Sequence, residues 1–151
     1  MSTIEEAIQQ SRFQSANHRA QVNILYTAAW LNQQTMHALK PFGLSLQQFN
    51  ILRILRGRGS EPSTVKLLTE RMLDKMSNAS RLVDKLKDKG YVVRQECPTD
   101  RRRVDILITE AGLDVIARAS AAVDQVRQDT FRGLTDEEAA TLSTLLDKLR
   151  G

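Results

Sequence analysis

Several absences narrow the field first. There is one cysteine, Cys97, so no internal disulfide forms, and with only two histidines, His18 and His37, soft ligands are too few for a zinc site. Three prolines and seven glycines in 151 residues leave long helices with few breakers. No stretch approaches the ~18 consecutive apolar residues of a membrane span. The opening Met1-Ser2-Thr3-Ile4-Glu5-Glu6 is acidic and polar, unlike a secretory signal. Nor is there a phosphate-cradling glycine loop, a Ser-His-Asp arrangement or a metal-ligand cluster, which argues against an enzyme and implies no cofactor. These features lead us to expect a cytoplasmic protein with no membrane partner.

What is present points to an ordinary globular chain, 41% hydrophobic and 26% charged. The net charge is only +4, but it is unevenly placed. Residues 71–103 hold ten basic side chains against five acidic ones, an excess of +5, so the remainder nets −1. A local basic region on a near-neutral body is the footprint of a polyanion ligand. Charge alone does not separate that reading from a solvated charged face. The elements carrying the charge must decide.

Helical periodicity predicts a first long helix from about Ala16 to Lys40, with Val22, Leu25, Tyr26, Ala29, Met36 and Leu39 as its stripe. Pro41 and Gly43 end it. Ser45 and Gln48 form a capping box opening a helix from Leu46 to about Arg56, with Phe49, Leu52 and Leu55 facing inward. After a loop marked by Gly57, Gly59 and Pro62, either Ser63 or Thr64 caps a short helix bearing Val65, Leu68 and Met72. The next helix is expected over about Lys75 to Lys89, and Gly90 ends it. Ala79, Leu82, Val83 and Leu86 are its inward stripe, leaving Ser77, Arg81, Asp84 and Asp88 on the opposite face, flanked by Asn78, Ser80 and Lys85.

Two strand-like runs follow, Tyr91–Gln95 and Val104–Ile108, joined by a predicted loop that contains Arg101, Arg102 and Arg103. Thr109 then caps a helix reaching about Arg132 with Val115, Ile116, Ala119, Val123 and Val126 as its stripe. Thr135 and Glu138 form a second capping box before a last helix carrying Leu142, Leu145, Leu146 and Leu149. The expected fold is mainly α with a small β-hairpin wing: a winged helix-turn-helix core over 45–108. Residues 1–44 and 109–151 supply flanking helices, whose apolar stripes exceed what the core needs and suit dimerisation.

Such a helix fits the major groove of duplex DNA and offers side chains to base edges. Arg81 suits a guanine edge, Asn78 an adenine, Ser77 and Ser80 bases or phosphates, and Lys85 a phosphate. Any surface helix carries such residues, and Asp84 and Asp88 on the same face cut against DNA contact. The hairpin is the stronger signal. Three adjacent arginines repel one another and become favourable in a negative minor groove. Paired subunits would set two such helices about one DNA turn, ~34 Å, apart on a palindromic site.

Four stretches carry a family likeness: Leu44–Leu52, Ser80–Leu86, Asp100–Arg103 through Ile108–Gly112, and Leu134–Glu138. Over nearly its whole length the chain resembles the MarR family of bacterial regulators, and the third stretch is the most specific. The resemblance implies a single domain over 1–151 and a homodimer with interleaved terminal helices. It implies a wing in which Asp100 orients Arg102 into the minor groove, helped by Arg101 or Arg103. It further implies a repressor of promoters released by a small aromatic effector. The family's recognition helix often opens with a Ser or Thr cap; here Leu73-Asp74-Lys75-Met76 stands instead, and Asp74 is a candidate cap. Cys97 would be a redox switch if nearby arginines lowered its pKa, although a passive loop cysteine is the simpler reading. Trp30 and His37, seven apart with Tyr26 nearby, could line an aromatic ligand site, but ordinary packing explains them better. The competing reading is a nonspecific, architectural DNA-binding protein.

Overall fold

The computed structural model describes all 151 residues. A short helix α1 (Ile4–Ile8), absent from the sequence reading, opens on a capping box between Thr3 and Glu6. The long α2 (Ala16–Leu39) is capped by Ser15 and runs into a 3-10 turn at Lys40–Phe42, where Pro41 and the positive φ of Gly43 end it. Next comes α3 (Leu46–Gly57), whose Ser45–Gln48 capping box forms as its spacing predicts. Of the two candidate caps for α4 (Val65–Arg71), Thr64 is the one used. Ser63 instead exchanges both backbone hydrogen bonds with Ile106, tying the start of α4 to the wing.

Helix α5 spans Ala79–Asp88, shorter at its start than predicted. The antiparallel wing follows, with β1 (Val92–Cys97) paired to β2 (Asp100–Ile108). Thr109 then caps α6 (Glu110–Thr130), and the Thr135–Glu138 box opens α7 (Asp136–Arg150).

The core is one cluster of 16 buried residues drawn from α2 to α6 and the wing. Leu52, Leu68, Val83, Leu86, Ile106 and Ile116 are fully buried at its centre. Burying one such side chain stabilises by about 1.5–3 kcal/mol, so the winged lobe holds most of the chain's own stability. The flanks differ. In α2 only Leu39 is buried, and α7 buries nothing. Leu145 is 58% and Leu149 67% exposed, and Leu25, Trp30 and Met36 are exposed too. One chain leaves these stripes uncovered.

Gly112 fixes how α6 meets the wing. It lies in the first turn of α6, where an added methyl would overlap the Tyr91 carbonyl oxygen and come within 2.7 Å of Ile108 Cγ1. Thr109 makes the same junction polar: its backbone N–H donates to the Tyr91 carbonyl and its Oγ1 donates to Gly90 O at 2.7 Å. Only glycine permits that approach.

Candidate nucleic-acid interface

The polar helix starts where its first backbone donors find an acceptor. Asn78 has extended φ/ψ, and its side-chain oxygen accepts the Arg81 N–H at 3.1 Å, so the helix opens at Ala79. This corrects two expectations. Asp74 does not cap the helix; its carboxylate accepts the Met76 N–H at 2.9 Å and closes a local turn. Ser77 does not lie on the helix or on its exposed face, and its Oγ is buried without a hydrogen-bond partner. Asn78 stays exposed at the helix mouth with its oxygen engaged in capping.

Within α5, Ser80, Arg81 and Lys85 stand on the exposed side, opposite buried Ala79, Val83 and Leu86. Neither Arg81 nor Lys85 is ion-paired. The acidic residues of this face behave differently from each other. Asp84 is matched by Arg94 of β1, whose Nη2 lies 2.7 Å away, while the same nitrogen reaches the Ser80 carbonyl oxygen at 3.5 Å. Asp88 has no such partner and lies at the far end of the helix from Asn78. Sequence reasoning counted Arg94 only as charge. The usable signal was an arginine on a strand directly following a helix that carries an outward carboxylate.

The wing departs from the predicted arginine-tipped loop. Cys97 pairs with Asp100, so the turn proper is Pro98-Thr99. The next pair is Glu96 with Val104, leaving Arg101, Arg102 and Arg103 as three extra residues bulged out of β2. The three are not equivalent. Arg103 Nε donates to Asp105 Oδ1 at 2.7 Å, and this partnership raises the Arg103 pKa. Asp105 itself is only 7% exposed. Asp100 accepts the backbone N–H of Arg102 at 3.0 Å, shaping the bulge through the main chain and making no ion pair with an arginine side chain. Arg101 and Arg102 are left exposed with unpaired guanidinium groups.

At the tip, Cys97 Sγ lies 3.3 Å from Thr99 Oγ1. That hydroxyl is the largest cause of a lowered thiol pKa, followed by the Thr99 and Asp100 backbone.

Two clefts lie between the long helices and the winged lobe. One, of about 440 Å³, is bounded by Thr35 of α2, Phe49, Asn50 and Arg53 of α3, and Leu73 of the turn before α5. Arg53 also sits 5.8 Å above the Phe49 ring. The other, about 610 Å³ and more open, is bordered by Met36, His37 and Lys40. His37 thus reaches a cleft, whereas Trp30 and Tyr26 line neither.

A family model described as the MarR family matches residues 42–103, the winged lobe. Among solved structures, the chain is similar to an organohalide-sensing transcriptional regulator in its 2,4-dichlorophenol-bound form, at 25% identity and a TM-score of 0.82, over 93% of this chain and 85% of that one. It is also similar to a MarR-family regulator from Rhodococcus sp. RHA1, with 26% identity, a TM-score of 0.76, and coverage of 91% and 96%. A third likeness is to a mutant of MarR from E. coli complexed with operator DNA, at 26% identity and a TM-score of 0.75, covering 83% and 89%. The family model thus matches the winged lobe, and along most of its length the chain shares its fold with transcriptional regulators that include MarR-family proteins.

Proposed function

We propose that this protein is a homodimeric, sequence-specific double-stranded DNA-binding regulator, and that it acts as a repressor. One observation carries the reading. On one lobe, Arg81 and Lys85 of α5 and Arg101 and Arg102 of the wing are all exposed and unpaired, while Arg94 joins helix to wing through the acidic residue that opposes DNA. In this reading Ser80, Arg81 and Asn78 face base edges, Lys85 faces phosphate, and Arg102 enters the minor groove with Arg101 beside it. Asp100 shapes the wing and Arg103 braces it. Residues 45–108 are the reading lobe, and 1–44 and 109–151 the dimerising helices. The uncovered leucines of α7 and the bare stripe of α2 support that division.

A small aromatic effector belongs to the same proposal. The cleft beside Phe49 and Arg53 reaches Leu73 and Asp74, in the turn that leads into α5, so an occupant there would press on the recognition helix. The organohalide-sensing relative in its 2,4-dichlorophenol-bound form supports a phenolic class.

The test is selection of bound sequences from random duplex DNA, followed by competition with excess random duplex. A regulator recovers an inverted repeat and keeps it under competition. An architectural protein recovers no preferred site, and that outcome would replace the present reading.

A further inference from the structure

We propose that Met76 is a specificity-determining residue, packing its thioether against the C5-methyl group of a thymine in the major groove. The inference rests on the DNA-binding reading above and adds an apolar contact to its polar ones. Met76 is 92% exposed, more than any other large apolar side chain except the terminal Met1. Most other exposed apolar residues belong to α2, α6 and α7, on the surfaces assigned to dimerisation. Leu73, three residues earlier, borders the cleft beside α3, but Met76 borders neither cleft.

Its position selects the occupant. Met76 lies two residues before the cap Asn78, at the end of α5 that enters the groove in helix-turn-helix proteins. The turn is pinned: the Met76 N–H donates to Asp74 Oδ1 at 2.9 Å and the Ser77 N–H to the Asp74 carbonyl at 3.2 Å. Upstream, the Leu73 N–H donates to Asn50 Oδ1 at 2.9 Å. The backbone therefore holds the side chain outward on a fixed stem. Lys75 adjoins it, and the surrounding segment carries the chain's cationic excess, so the matching surface is a polyanion. In the major groove of such a partner, the thymine methyl is the apolar group on offer. An unbranched, polarizable thioether adapts readily to it.

The experiment uses the full chain and its selected duplex. Each thymine is replaced in turn by deoxyuridine, which deletes one methyl group and preserves base pairing. Wild type should lose about fourfold in affinity at one thymine per half-site, equal to about 0.8 kcal/mol for one methyl-sized group. Met76→Gln, of similar length but polar, should fold normally by circular dichroism and bind both duplexes equally. Equal binding of all deoxyuridine duplexes by wild type would overturn the proposal. So would a methyl effect that persists in Met76→Gln. Failure to select any duplex overturns the DNA-binding reading itself, an outcome seen one step earlier.

Discussion

Arg94 on the first wing strand holds Asp84 of α5 at 2.7 Å, and the pair ties the wing to the helix through a carboxylate on the face proposed to meet DNA. The two side chains are 31% and 57% exposed, so the pair adds at most about 1 kcal/mol to stability. Its effect on binding has a discriminating sign. Removing a negative charge from a DNA-binding face should tighten binding if charge were all that mattered. If the pair positions the wing, Asp84→Asn should instead weaken binding, by up to about fivefold, roughly 1 kcal/mol. Fluorescence anisotropy with operator duplex reads the sign; tighter binding would dismiss that positioning role.

Arg102→Ala should weaken DNA binding strongly and leave the melting temperature nearly unchanged, because its exposed side chain makes no hydrogen bond or ion pair within the protein. The slope of log affinity against log salt should fall by about one unit. Arg103→Ala should behave differently, lowering stability as well, since it leaves Asp105 buried without its partner. Matched losses in the two variants would show that the bulge does not divide the arginines' roles.

Arg81→Ala should relax base preference at one position in each half-site, by about 1–3 kcal/mol, with other positions unaffected. Repeating the selection with this variant measures it. An unchanged profile would move the reading face elsewhere on α5.

Gly112→Ala should destabilise the fold by about 1–3 kcal/mol through overpacking, since the added methyl meets the Tyr91 carbonyl and not a yielding side chain. Urea denaturation should show a lower midpoint with an unchanged slope. Gly133, with open space around it, serves as the control at which alanine is tolerated.

At the amino-terminal end, Arg19 hydrogen-bonds Glu5 at 2.5 Å and lowers its pKa from 4.5 to about 2. A depressed carboxylate stabilises the folded state above its unfolded value. The docking of α1 on α2 should therefore be intact above about pH 4.5 and fade as pH falls toward 2. Protection of α1 amides from hydrogen exchange, corrected for the intrinsic pH dependence of the exchange rate, should fall as pH drops through that window in wild type. In Glu5→Gln the protection should already be lower at neutral pH and should change less over the same range.

The sequence made the fold legible wherever one local rule sufficed. The Ser45–Gln48 and Thr135–Glu138 boxes and the core stripe of α5 all stand where spacing put them. The start of α5 was misjudged because several polar residues there compete for the first-turn donors, and Asn78, not Asp74, captures one. The arginine bulge was invisible because strand register depends on both strands, and nothing in Arg101–Arg103 states what they lie opposite. Gly112 and Arg94 act through partners 21 and 10 residues away in sequence, beyond any periodicity window.

The Ser63–Ile106 exchange of hydrogen bonds has a mechanical meaning. It stitches the entry of α4 to the middle of β2, while Gly112 and Thr109 seat the wing base on α6 and Arg94 links its outer strand to α5. Fastened at three places, the lobe is a stiff plate with little internal give. A signal arriving from the long helices would then leave the plate's shape alone and swing it whole, altering the span between two reading heads as a caliper alters the gap between its jaws.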